Sequence, residues 1–159
     1  GITPYGTEAM HVLRAEKGYI IVGQETDGTV SPHDLGMSSL VNDKKPDFIG
    51  KRGLKRADLQ RPDRKQLVGL TIVDGDRKPL PEGAHLVDDA DAPTPVPMLG
   101  FVTSSYFSPT VGAPIALALV KNGRARTGQE IYAALPDRAV RVKIVAPCFF
   151  DPEGKRLHG

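Results

Sequence analysis

Arg14 is the residue in this chain whose type and position first suggest chemistry. In the stretch HVLRAEKGYIIVGQ (11–24) it follows Val12 and Leu13. At 100° per residue it falls about 40° beyond Met10, at the border of the apolar arc of a helix. A guanidinium there can be held by packing and still face a cleft, where its planar fork of donors suits a polar or anionic group. The plainer alternative is an ion pair at a helix end.

Other chemistry-bearing residue types offer less. His11, His33, His85 and His158 are scattered, with no pair at helical ligand spacing, and Cys148 is the sole cysteine. A metal site is therefore not expected and an internal disulfide is excluded. Cys148 has no activating partner nearby in sequence and reads as a small buried hydrophobe. The hydroxyls of FVTSSYFSPTVG (101–112) come without a G-x-S-x-G elbow or a Ser-His-Asp set, so this segment reads as an ordinary Ser/Pro loop. No G-x-G-x-x-G follows a strand, and there is no Walker-type loop.

The formal charge of +2 is unevenly spread. Nine basic residues lie between Lys44 and Lys65 (Lys44, Lys45, Lys51, Arg52, Lys55, Arg56, Arg61, Arg64 and Lys65), against Asp47, Asp58 and Asp63. Such a run is a solvated surface or a patch for a polyanion. Phe48 is the one aromatic within it, whereas stacking on nucleic acid needs several, so no nucleic-acid partner is expected. Nor is a membrane partner, because no apolar run approaches the roughly 20 residues of a span. GITPYGTEAM lacks the features of a signal peptide, and a cytoplasmic location is expected.

These residues need elements to position them. Thr3 as N-cap, Pro4 at the first helical position and Gly18 beyond the last turn predict a helix over 3–18, with Tyr5, Gly6, Ala9, Met10, Val12 and Leu13 in one apolar arc. Tyr19 to Val22 reads as a short extended piece before a turn-rich loop, residues 47–60 as a short second helix, and 61–65 as a linker. Strands are predicted at 66–73, 84–88, 98–105, 115–121, 130–135 and 139–147, with Gly, Pro and Asp turns between them. The last alternates cleanly, Val140, Val142 and Ile144 against Arg141 and Lys143.

The fold expected is α+β. A helical remnant of a larger α/β domain (1–60) and a linker (61–65) precede a small antiparallel Greek-key β-barrel of about six strands (66–159). The underside of the remnant is expected to be apolar, where further strands of its domain would cover it.

Several motifs occur in a fixed order: PYGTEAMHVLRAEKGYIIVGQETDGTVSPHDLGM (4–37), KKPDFIGKRGL (44–54), QLVGL (66–70), GFVTSSYFSPTVGAPIALALV (100–120) and DPEGKR (151–156). Together they resemble the C-terminal part of the glycine-cleavage T-protein (aminomethyltransferase) superfamily, and within it the branch of heterotetrameric sarcosine oxidase alpha subunits. The resemblance implies an enzyme that oxidatively demethylates sarcosine to glycine and passes the one-carbon unit to tetrahydrofolate. It implies FAD, FMN and NAD in the full enzyme, the flavin chemistry lying in another subunit. The motifs for those cofactors have no counterpart in these residues.

The resemblance also bears on single positions. The family's folate-contacting arginine matches Arg14, which would make it one wall of a folate cleft. Tyr19 follows in the same motif and either lines that cleft or is a core tyrosine with a hydrogen-bonded hydroxyl. The family's catalytic aspartate and Tyr/Glu pair belong upstream of these motifs, so no catalytic residue is assigned here, and the chain alone is expected to be inactive. The partners implied are folate and other sarcosine oxidase subunits. The basic run could attract the polyglutamate tail of a folate. Two other readings stand beside this one: a dimethylglycine dehydrogenase or aminomethyltransferase relative, and a non-catalytic structural or subunit-docking barrel.

Overall fold

The computed structural model describes the whole chain except Asp43, Gly159 and the side chain of Leu157. One helix, α1 (Thr7–Lys17), precedes six strands: β1 (Lys65–Ile72), β2 (His85–Val87), β3 (Gly100–Ser108), β4 (Ala113–Lys121), β5 (Glu130–Ala134) and β6 (Ala139–Val145). A final short helix, α2 (Lys155–His158), follows the turn after β6.

All six strands close into one antiparallel barrel in the order β1-β4-β3-β2-β5-β6. β2, β3 and β4 are neighbours in sequence and space, and β1 returns beside β4, which is the Greek-key arrangement expected from the sequence. The alternation in β6 is what closes the ring. Val140, Val142 and Ile144 point inward with at most 4% exposure, while β6 bonds β1 on one side and β5 on the other. The interior is filled by Val68, Leu70, Leu86, Val102, Ile131 and their neighbours.

A second, smaller apolar cluster lies outside the barrel wall. Leu67, Leu117 and Leu119 form it, covered by Ile20, Val30, Leu35, Phe101 and Phe149. The N-terminal segment is thus folded against the outer face of β1, β4 and β3.

The helix departs from expectation at its start. It begins at Thr7 behind an extended Gly6 N-cap, and Thr3 and Pro4 lie outside it. Its end is as expected. Gly18 is left-handed (φ 76°), and its N–H and that of Tyr19 return to the carbonyls of Ala15 and Arg14. Any larger residue at 18 would bring its Cβ to 2.6 Å from the Pro147 carbonyl oxygen.

The side of the helix that meets the barrel is Arg14, Ala15 and Glu16, all buried. Glu16 accepts a bond from the Ser108 hydroxyl at 2.6 Å, and its main-chain carbonyl accepts the Phe149 and Phe150 amides. The apolar arc instead faces outward, with Tyr5 71%, Met10 42% and Leu13 54% exposed.

Between helix and barrel the sequence reading needs two corrections. Residues 19–22 form no strand and make only an isolated bridge from Val22 to Thr26. The expected helix over 47–60 is replaced by two short 3-10 turns, Gly53–Lys55 and Ala57–Gln60. Gly50 at φ 97° precludes a continuous helix there.

Candidate functional site

Arg14 sits on the last turn of α1, 8% exposed. Its Nη1 donates to Glu25 Oε2 at 2.8 Å and to the Tyr19 carbonyl at 3.2 Å. Its Nη2 donates to Ser104 Oγ at 2.6 Å and Gln24 Oε1 at 2.8 Å, with the Tyr106 hydroxyl at 3.3 Å. The Tyr106 ring lies 5.7 Å from the guanidinium carbon. The outer fork is thereby spent on the protein itself. Among the described residues, Arg14 Nε is the one buried side-chain nitrogen or oxygen without a hydrogen-bond partner.

Glu25, fully buried, answers the guanidinium from the loop after α1. Four donors converge on it: Arg14, the Ile21 amide (2.8 Å), the Thr103 hydroxyl (3.0 Å) and the Ser104 hydroxyl (2.5 Å). An acceptor-only carboxylate suits four donors.

Two adjacent strand residues can reach one carboxylate only where the ladder is irregular. β3 gains a residue there: Val102 opposes Ala118 and Ser104 opposes Leu117, with Thr103 extra. The bulge turns Thr103 and Ser104 to the same face and brings Tyr106 and Ser108 onto the helix side. The strand predicted over 98–105 runs on to Ser108 in place of a Ser/Pro loop, and the hydroxyls of Thr103, Ser104, Tyr106 and Ser108 bond buried charged side chains.

Tyr19 is not a core tyrosine, since it is 60% exposed. It meets Arg14 in two ways, through its carbonyl and as a wall of the same open groove. That groove, about 500 Å³, is lined by Tyr5, Met10, Leu13, Arg14, Tyr19 and Phe150, together with Arg156 and the Lys17–Asp151 ion pair. The structure so brings both expected site residues to one largely apolar groove.

A second ionic knot joins the loop to the barrel. Asp34 is buried and paired with Arg64, Nη2 to Oδ2 at 2.6 Å, and it accepts the Ser31 amide and hydroxyl. Burial by itself would push the Asp34 carboxyl up. The Arg64 guanidinium and the Ser31 donors outweigh it and hold the carboxyl below the usual range.

The basic run is in part neutralised internally. Arg61 pairs with Asp58 and Asp63, and Arg64 with Asp34 and Asp58. Lys51 lies over Phe48 and Lys65 over Phe101. Cys148 is half-buried, its thiol 3.3 Å from the Phe150 carbonyl. Among the described residues no group of three His, Cys, Asp or Glu side chains could hold a metal ion, and no helix is long and apolar enough to cross a membrane.

Sequence reasoning missed Glu25, Thr103 and Ser104. Glu25 stands in GQETDG, which shows only a turn, and nothing in VTSS announces the extra ladder residue.

Comparison with known proteins agrees with this architecture. Residues 65–151 match the glycine cleavage T-protein C-terminal barrel domain, and residues 1–45 match the GCVT N-terminal domain. The chain belongs to the glycine cleavage T-protein family. Within it, the chain is 52% identical over 160 residues to the sarcosine oxidase subunit alpha of Corynebacterium sp. (strain P-1) and 44% to that of Rhizobium meliloti (strain 1021). Each match takes in 99% of this chain and 16% of the relative. The aminomethyltransferase of Moorella thermoacetica is 34% identical over 150 residues, 94% of this chain and 38% of that protein. The crystal structure of glycine cleavage system aminomethyltransferase T from Bartonella henselae superposes with a TM-score of 0.74 at 25% identity, covering 89% of this chain and 38% of that one. The chain thus spans about a sixth of the sarcosine oxidase subunits it matches.

Proposed function

We propose that this chain forms part of a sarcosine oxidase alpha subunit and supplies the Arg14 wall of its tetrahydrofolate cleft. The reading rests on its likeness to sarcosine oxidase alpha subunits along nearly its whole length and on the family resemblance. The structural observation that carries it is that Arg14 and Tyr19 together line one open, largely apolar groove.

The groove walls supply flat apolar surface from Tyr5, Tyr19 and Phe150; Lys17 is paired there with Asp151, and Arg156, over the Phe150 ring, adds positive charge. That combination suits a planar ring system carrying carboxylates, which describes a folate. Tetrahydrofolate would supply the acceptor for the one-carbon unit released when sarcosine is demethylated. The part of this chain is to bind and orient it, with the flavin chemistry in another subunit and no reacting group among these residues. By itself the chain would not turn over sarcosine, and other subunits are its expected partners. We further assign residues 1–60 to the folate-binding T-protein-like domain, 61–65 to a linker and 66–159 to the barrel domain.

The test is a calorimetric titration of 5-formyltetrahydrofolate, a stable folate, into the complete enzyme carrying this chain, beside the same enzyme with Arg14→Ala. Weaker binding in the variant supports the reading. Equal binding in both refutes Arg14 as a cleft wall.

A further inference from the structure

Arg14 does not hold its own orientation, because its outer nitrogens are tied to groups from two other places in the chain. Glu25 comes from the loop after the helix, Ser104 from the barrel. The three side chains form a closed circuit. Arg14 Nη1 donates to Glu25 Oε2, Arg14 Nη2 donates to Ser104 Oγ, and the Ser104 hydroxyl donates to Glu25 Oε1. Thr103 adds a second hydroxyl to the same carboxylate oxygen.

We infer that Glu25 and the Thr103–Ser104 bulge are positioning residues that fix the guanidinium of Arg14 at the wall of the groove. The inference rests on the folate reading above for its bearing on affinity, although the geometry it describes is independent of the ligand. Both outer nitrogens of the guanidinium are spent within the protein. A rotation that presented Nη1 or Nη2 to a ligand would therefore leave Glu25 buried and short of a donor, which the low-dielectric surroundings penalise. The carboxylate so holds the guanidinium in one orientation. The barrel takes part in the cleft through β3, by supplying two hydroxyls that a regular strand could not turn to one point.

The experiment uses the complete enzyme with Glu25→Gln, Ser104→Ala, Arg14→Lys and the Glu25→Gln/Arg14→Lys pair. Each is titrated with 5-formyltetrahydrofolate, and wild type and the variants that keep Arg14 are treated with phenylglyoxal, modification at Arg14 and Arg64 being followed by peptide mass spectrometry. Glu25→Gln is expected to weaken folate about tenfold, from the loss of hydrogen bonds to a charged group. In the Arg14→Lys background it should have no further effect. Modification of Arg14 should speed up while Arg64, held by Asp34, stays as protected as before; general loosening would expose both. Ser104→Ala should move both readouts the same way by less, and it serves where Glu25→Gln does not fold.

Wild-type affinity and wild-type protection of Arg14 in both variants would overturn the inference, as would an equal loss of affinity with and without Arg14. If wild type and Arg14→Lys bind folate equally, the cleft reading fails. The labelling then decides alone: faster modification of Arg14 upholds the positioning role, and an unchanged rate overturns it.

Discussion

Arg14 and Glu25 are eleven residues apart in the chain and 2.8 Å apart in space, and both are almost wholly withdrawn from solvent. A pair of this kind gains little over an apolar substitute, yet removing one member leaves the other charged and buried. Glu25→Ala is accordingly expected to destabilise the protein by about 3–5 kcal/mol. Chemical denaturation read by circular dichroism checks this, and a loss below about 1 kcal/mol would show that water replaces the carboxylate without penalty.

The Asp34–Arg64 knot should show itself in acid. The folded-state pKa of Asp34 lies below the unfolded value of about 3.9. Its stabilising contribution is therefore fully present above the unfolded pKa and is lost as pH falls through the folded one. Asp34→Asn is expected to cost on the order of 3 kcal/mol at pH 7, the difference from wild type shrinking as pH falls below about 4. A gap that stays constant down to pH 2 would contradict the assignment.

Much of the barrel was readable in advance, and the reason lies in residues such as Val142. Strand alternation depends on a single local fact, that one face is wet and one is dry, and β6 obeys it; β4, whose outer face is covered by the second apolar cluster, is legible instead as a continuous apolar run between turns. The register of the barrel and the sharing of Glu25 between loop and strand are long-range facts with no local trace. The helix shows the limit most clearly. Its apolar arc was legible in Met10 and Leu13, but amphipathicity says which side is apolar, not which partner meets which side. Here the barrel meets Arg14 and Glu16 by hydrogen bonds, and the apolar arc is left for the groove. Arg14 was found because of its place at that border and the motif around it. Its partners were not, because Glu25 lies in a turn and Ser104 on a strand whose one extra residue only the pairing with β4 reveals.

Gly18 is under two constraints at once, a left-handed backbone and the Pro147 carbonyl. Gly18→Ala should lower stability by about 1–3 kcal/mol, more than an ordinary helix C-cap would give, since backbone rather than a movable side chain opposes the added carbon. A thermal melt decides it, and an unchanged midpoint would mean that the segment after β6 can retreat.

The exposed groove residues should separate stability from binding. Leu13→Ser removes apolar surface that is already 54% exposed, so the unfolding free energy of this chain should change by no more than about 0.5 kcal/mol. If the groove holds the ring system of a folate, the same change should weaken 5-formyltetrahydrofolate binding to the complete enzyme several-fold. Full affinity in the variant would place the ligand elsewhere.

The extra residue in β3 has a consequence for how such a site can arise or vanish. Phe101 and Thr103 face outward before the bulge, and Ser104, Tyr106 and Ser108 face outward after it, because one added residue exchanges odd for even. No point substitution can make or undo that exchange. Deleting one residue at the bulge would restore the regular ladder, leaving Tyr106 and Ser108 outward but only one strand hydroxyl where Glu25 now meets two. The arrangement around Arg14 is thus written in the length of a strand as much as in its letters, and chains of this architecture that differ there by one residue would be separated by an insertion or a deletion.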